Sequence, residues 1–583
     1  MLKLLKKLFP FLKPYKGNLV IAVLFMVLLD VTEYLLPLVV KLLTDDVFVN
    51  IQMEGMVHKL IWLCSILFGA ALFRGIFANI MIQQYWIIGE SVVRDMRNAL
   101  YDKIQNMELL SYDKMQVGDL MSRLTSDIHI LRNLFAWGLE HRLRIIFITT
   151  AVFILMMLLS WKLTLLVFVI IPIFLGTILF FSGKMRRAVE RQQRRLGLFV
   201  SGIQQNITGM RTVKAFSAEE EEIRKLHNLN AKLKNEETNL ATLQAVFNPL
   251  ILVVNGVGTL IVLLYGGYQV MMGQLSLGIL LAFITYMGIM RWPISLLAPN
   301  TSLFNMALGA ITRIEEIFNL PDQKHAETGS FKKEIKGAIQ FEKVCFAYTE
   351  EDSVLENISF SINPGEKVML FGLTGAGKST LISLIPRFYY PTSGNITIDE
   401  TPLQDWHRET LRRQIGFVHQ ETFLFSATIG DNIRYGKPTA TQAEVEEAAS
   451  HAQIHEFIKE LPEGYNTMIG EYGVGLSGGQ RQRISIARTI LQDPKILILD
   501  DCTSSLDSVT EFKIQQQLKE LMKGRTSIII AQRMGAVSDV DKIIVLNRKR
   551  IEGLDSHRNL LKYNSLYRDS YYSLYQQLPQ EEV

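Results

Sequence analysis

Apolar and polar positions divide the chain into two unlike parts. Up to about residue 300 apolar residues run in long blocks; beyond it they come in short runs between polar segments. Six blocks, near 18–40, 58–86, 142–160, 163–182, 246–272 and 276–299, reach the roughly 20 residues that a helix needs to cross a bilayer. The connections near 41–57, 161–162 and 273–275 are short and hold few basic residues. Those near 90–141 and 183–245 are long, charged and helical in pattern, with Arg94, Arg97, Lys103, Lys114, Arg123 and Arg132 in the first and Lys184, Arg186, Arg187, Arg191, Arg194 and Arg195 in the second. Basic connections stay in the cytoplasm. The pattern therefore predicts a multi-pass domain over 18–318 with both termini inside and two long helical hairpins projecting inward. Residues 1–17, rich in lysine and lacking a cleavage-site pattern, predict an amphipathic helix on the inner membrane surface.

Charged groups interrupt the apolar blocks: Asp30 and Glu33 in the first, Arg74 in the second, and Arg291 just before Trp292-Pro293 in the sixth. A charge inside a membrane is costly unless it is paired or faces water. Two readings follow for Asp30, Glu33 and Arg74: a polar cavity that binds substrate, or an internal salt bridge between the first two helices or residues near the outer lipid edge. Pro293 is expected to kink its helix.

After Phe318 the pattern changes. Residues 319–337 are polar with Pro and Gly and read as a linker. A strand-rich start, Ala338 to Ala347, opens a domain over 338–583. A strand, Lys367 to Gly372, then leads into Gly372-Leu373-Thr374-Gly375-Ala376-Gly377-Lys378-Ser379, followed by Thr380 and a helix over 379–385. Strand, glycine-rich loop and helix form the context of a phosphate-binding loop. Its glycines let backbone N–H groups close around phosphate oxygens. Lys378 is expected to reach the β- and γ-phosphates and Ser379 to ligate Mg²⁺. A second apolar strand, Ile496 to Leu499, ends in Asp500-Asp501, and Asp500 is the candidate acidic Mg²⁺ contact.

Composition changes little. The net charge of +4 over 583 residues gives no reason to invoke a nucleic-acid partner. Cys64, Cys345 and Cys502 are far apart with no metal-ligand spacing and read as free thiols.

With the motif Leu476-Ser477-Gly478-Gly479-Gln480, these features resemble the ATP-binding cassette transporters, and the six-helix half resembles their exporter class. The resemblance covers essentially the whole chain. It implies an all-α six-helix transmembrane domain followed by an α/β P-loop nucleotide-binding domain, with ATP and Mg²⁺ as cofactors. It also implies roles by position. Tyr348 would stack on adenine; Gly372, Thr374, Gly375, Gly377, Lys378, Ser379 and Thr380 would hold the nucleotide. Gln420 would contact Mg²⁺, and Ser477, Gly478, Gly479 and Gln480 would complete the site of a partner chain. Asp507 lies in the loop that crosses to that partner. Tyr112 to Asp119 and Gly209 to Phe216 would be the hairpin tips that dock on the motor domains. His419, beside Gln420, is expected to be a surface histidine.

Two positions depart from the family pattern. Asp501 stands where the family has a glutamate, and Gln532 where it has a histidine. Asp501 has the right charge but is one methylene short. Gln532 can hydrogen-bond a phosphate but cannot carry a proton as histidine does. The pattern resembles the degenerate-site halves of heterodimeric bacterial multidrug exporters. It implies a partner half-transporter bearing the glutamate and histidine, an amphiphilic small-molecule substrate (drug or lipid), and a bacterial plasma membrane. The alternatives are a homodimeric exporter using Asp501 as its catalytic carboxylate, or an ATP-gated regulatory subunit.

Overall fold

The computed structural model describes residues 9–48, 56–322, 329–349, 352–420, 422–470, 473, 475–501, 516, 518–530 and 540–575. The chain forms two compact units, 1–102 with 117–319 and 103–116 with 320–583.

The first unit is helical. Lys16–Leu42, Met56–Asn106, Leu139–Leu159, Glu219–Met271 and Leu277–Phe318 cover five of the six expected blocks. Five helical stretches among the described residues are long and apolar enough to cross a membrane. The block at 163–182 is helical too, split between Trp161–Phe168 and Ile170–Thr208. Many large apolar side chains on these helices face outward, Phe68 and Leu158 at 69% and 78% exposure among them. Such surface suits lipid rather than water. Ser160, in extended conformation, ends one helix and starts the next. Ser276 caps the last helix, accepting from Ile279 N at 3.2 Å. Asp45 braces that cap, accepting from Ser276 Oγ at 2.6 Å and from Gly278 N at 2.8 Å. The helix then continues through both Pro293 and Pro299.

The charges inside the first two helices are paired. Arg144, on Leu139–Leu159, donates through Nε to Asp30 Oδ1 at 2.7 Å and through Nη2 to Glu33 Oε2 at 3.0 Å. Arg74 reaches Glu33 at 3.2 Å, and the Arg144 guanidinium lies 4.8 Å from the Trp292 ring centroid. Of the two readings, the salt bridge describes the arrangement, with Arg144 as a third-helix member that the sequence did not single out.

The second unit is α/β. β1 (Ile339–Thr349), β2 (Asp352–Ile362), β4 (Ser393–Ile398) and β5 (Thr401–Pro402) form an antiparallel sheet in the order β2-β1-β4-β5. The larger sheet has the order β10-β9-β3-β8-β7-β6, from β3 (Lys367–Gly372), β6 (Ile415–Val418), β7 (Ile496–Asp500), β8 (Thr526–Ile530), β9 (Lys542–Asn547) and β10 (Arg550–Asp555). All neighbours in it are parallel except β9 and β10. β7 and β8 are buried at every position, as expected of strands covered on both faces. One core lies between the two sheets around Phe341, Trp406 and Ile498; a second, around Leu424, Ile484 and Leu499, holds the helices to the large sheet.

A division of the chain at 318 puts residues 103–116 in the first half, but by contact they pack with the second unit. Lys103 pairs with Asp322 at 2.8 Å, Glu108 N donates to Pro321 O at 3.3 Å, and Tyr389 OH donates to Asp113 Oδ2 at 2.6 Å.

Candidate functional site

The sheet order puts the candidate nucleotide residues together. β3 and β7 both flank β8, so Gly372 and Asp500 stand at the carboxyl ends of two strands with one strand between them. Ligands of open parallel sheets bind in this crevice. The loop after β3 turns back through Gly375 and Gly377, at φ of +81° and +95°, backbone that side-chain-bearing residues rarely adopt. Successive amides in such a turn form an anion-binding concavity. Helix Lys378–Leu384 follows.

Lys378 is held against the loop. Its Nζ donates to Gly372 O at 2.8 Å and to Leu373 O at 3.0 Å. An ammonium has three donors, so the loop takes two and leaves one direction for phosphate. Partial burial pulls the Lys378 pKa below its ordinary value, opposed by the fields of Asp500 and Asp501. Asp500 is buried and accepts a hydrogen bond from Ser379. Burial pushes its carboxyl up, against the pull of Ser379 and Lys378. A hydroxyl and a carboxylate joined in this way are hard oxygen donors, suited to Mg²⁺. The amide nest, the ammonium and this oxygen pair together fit a nucleotide triphosphate with its metal. When bound, Mg²⁺ would neutralise charge on the phosphates, with Ser379 and Asp500 holding it.

Asp501 is almost fully buried and sits at φ +44°. Its N–H donates to Ile530 O at 2.8 Å, which ties it to the end of β8. Gln420 Nε2 donates to Asp501 Oδ2 at 3.4 Å, so the fold brings these two candidates together. Gln532, two residues beyond the end of β8, and Asp507 lie outside the described residues, as does Cys502. Tyr348 OH and Thr380 Oγ1 share a hydrogen bond of 3.1 Å, which places the candidate adenine platform beside the phosphate loop. His419 is exposed, its ring stacked on Phe417 at 4.1 Å.

Ser477 is the N-cap of helix Gly478–Gln492. Its Oγ accepts from Gln480 N at 3.3 Å, while Gln480 Oε1 accepts from Ser477 N at 2.7 Å, a reciprocal capping box. Gln480 thus has a local structural task. Gly478 and Gly479, in the first turn, add no side chain to cover their amides. Arg481 donates to Leu476 O at 2.9 Å and Arg483 to Gln453 O at 2.7 Å, which fixes the turn before the helix.

One residue near the site, Tyr389, carried no sequence signal. Tyr389 packs edge-on against Tyr348, with ring centroids 5.4 Å apart, and its hydroxyl meets Asp113. The pair joins the platform to the first hairpin tip.

Comparison with known proteins decides the family. Residues 19–294 match the ABC transporter transmembrane region, and 355–504 match the ABC transporter family. A Bacillus subtilis protein described as "Uncharacterized ABC transporter ATP-binding protein YknU" is 36% identical, over 97% of this chain and 96% of that protein. The chain belongs to the ABC transporters. An ATP-dependent lipid A-core flippase of Syntrophus aciditrophicus is 34% identical, over 98% of this chain and 94% of its own length. The Bacillus subtilis "Putative multidrug export ATP-binding/permease protein YgaD" is also 34% identical, over 97% and 98%. The solved structure of a bacterial Atm1-family ABC exporter with ATP bound superposes with a TM-score of 0.80 at 25% identity, covering 97% of this chain and 99% of that one. This ABC transporter is an exporter half, a membrane protein whose ATP-binding region follows its helical transmembrane region. ABC half-transporters work as dimers, so the nucleotide residues above are one chain's contribution to a shared assembly.

Proposed function

We propose that this ABC exporter half pairs with a different half and moves amphiphilic compounds, drugs or lipids, out across a bacterial plasma membrane. Its relatives include a lipid A-core flippase and a protein described as "Putative multidrug export ATP-binding/permease protein YgaD", which supports this substrate class. Its termini and the two long basic segments lie on the cytoplasmic side. Residues 18–318 are the transmembrane domain, 319–337 a linker and 338–583 the motor. ATP draws the paired motors together, and the hairpin tips carry this to the helices.

One observation carries the heterodimer. At the end of β7, where the family pattern has a glutamate, stands Asp501, buried and held by Gln420 and the end of β8. Its backbone is tied to the sheet, so the carboxylate cannot slide forward to recover the missing methylene. A displacement near 1 Å at a reacting centre can cost about 100-fold in rate. Gln532 weakens the same site. The signature Ser477 to Gln480 is complete and would serve the partner's site, where a glutamate and a histidine do the work. A homodimer would combine two weak sites with two complete signatures.

The test compares Mg-ATPase of the chain alone with that of the chain and whatever half co-purifies from its native membrane. A nearly inactive single chain and a brisk pair support the reading. In the pair, Asp501→Asn should lower the rate far less than removing the partner's glutamate. A chain that alone hydrolyses ATP as fast as the pair makes Asp501 an adequate catalytic carboxylate and the protein a homodimer.

A further inference from the structure

A cavity of about 520 Å³ lies between two helical segments of the first unit. One wall is a single face of Met56–Asn106, presenting Glu90, Arg97 and Tyr101; the other, over 124–132, presents His129 and Arg132. Spacings of 3, 4 and 7 residues put such side chains on one helix face.

The cavity carries more positive charge than its own groups neutralise. Arg132 reaches Glu90 at only 3.4 Å. Its Nη2 lies 2.6 Å from His129 Nε2. A guanidinium can only donate, so that nitrogen accepts. Arg132 Nε is buried and has no hydrogen-bond partner among the described residues. Arg97 makes no ion pair among the described residues and lines the same space. Two guanidinium groups against one carboxylate leave an excess of one positive charge. A buried donor without a partner is costly, and an anion in the cavity would satisfy it.

The position of the cavity selects the anion. The Arg132 guanidinium lies 5.7 Å from the centroid of Trp86, at the end of the apolar block 58–86. Indole rings mark the headgroup level of a bilayer. Glu90 is four residues further, about 6 Å along a helix. Apolar lining from Val93 and Leu124 suits the glycerol end of a lipid better than a free ion. We propose that this cavity binds the phosphate headgroup of an anionic phospholipid in the inner leaflet. Arg97 and Arg132 hold the phosphate, and Glu90 limits the affinity by competing for Arg132. The assignment rests on the reading that the long basic segments are cytoplasmic.

The test uses the full assembly in detergent, titrated with short-chain phosphatidylglycerol, short-chain phosphatidylcholine and glycerol phosphate, with binding counted by native mass spectrometry. Phosphatidylglycerol should bind about tenfold more tightly than phosphatidylcholine, and Arg97→Gln should remove about that factor. Glu90→Gln should tighten binding about threefold or more, a gain that misfolding cannot mimic. Arg186→Gln, a basic side chain outside the cavity, should change nothing. Equal loss with Arg186→Gln, or no effect of Arg97→Gln and Glu90→Gln, overturns the proposal. Glycerol phosphate binding as tightly as the lipid assigns the cavity to a soluble phosphate and overturns the lipid source. Loss of lipid preference with ATPase and transport intact leaves the exporter reading standing.

Discussion

The Tyr389 hydroxyl donates a 2.6 Å hydrogen bond to Asp113 Oδ2, and the same ring packs against Tyr348. The residue therefore touches both the candidate adenine platform and the first hairpin tip. Burial and the neighbouring carboxylate push its phenol pKa up, so it stays a donor at any physiological pH. Tyr389→Phe keeps the ring contact and removes the bond, worth about 1 kcal/mol. Nucleotide affinity should stay unchanged while transport-substrate stimulation of ATPase falls about fivefold. Equal loss of nucleotide binding and stimulation would place Tyr389 in the nucleotide site itself.

Gly377 is irreplaceable for two reasons. At φ +95° an added Cβ would be strained, and it would lie 2.9 Å from Leu355 Cδ2 and 3.1 Å from Val354 O. Gly377→Ala should cost about 1–3 kcal/mol of loop geometry and weaken nucleotide binding about tenfold or more. Gly365, also at positive φ but with open space around it, provides the comparison. Gly365→Ala should lower stability and leave nucleotide affinity alone, as titration with a fluorescent nucleotide will read.

Arg144 stands between Asp30 and Glu33, with side-chain exposures of 14%, 3% and 19%. Arg144→Met strands Asp30, leaves Glu33 with Arg74 alone, and should destabilise the first unit by about 3–5 kcal/mol. Lys59→Met breaks an exposed pair with Asp46 and should cost less than about 1 kcal/mol. Thermal unfolding of both variants in detergent measures the contrast; similar shifts would mean the intramembrane network contributes little.

Asp501→Glu restores the missing methylene. If reach limits this site, ATPase of the chain should rise about tenfold, with Gln532 still holding it below a complete site. No change in single-turnover rate would count against the reach of Asp501 as the limit.

The phosphate loop and the signature motif were legible because their chemistry is local. Glycines, lysine and serine within eight consecutive residues form a nest wherever a strand and a helix flank them. The apolar blocks were legible for a similar reason: crossing a bilayer needs only a contiguous run. The helical transmembrane region followed by an α/β motor came from these two signals, and the structure and the relatives agree with it.

By itself, then, the sequence determined the long helices, the strands that precede the glycine-rich loop and Asp500, and a set of candidate phosphate-binding residues, because backbone conformation and burial period are written in neighbouring residues. Tertiary structure alone decided which distant groups meet. Arg144 lies 114 residues from Asp30, and Tyr389 lies 276 residues from Asp113. Such pairs leave no spacing signal, because their separation reflects the path of the chain rather than the reach of a side chain. The sheet order decided likewise that β8 stands between the phosphate loop and Asp500, and thereby set the width of the crevice.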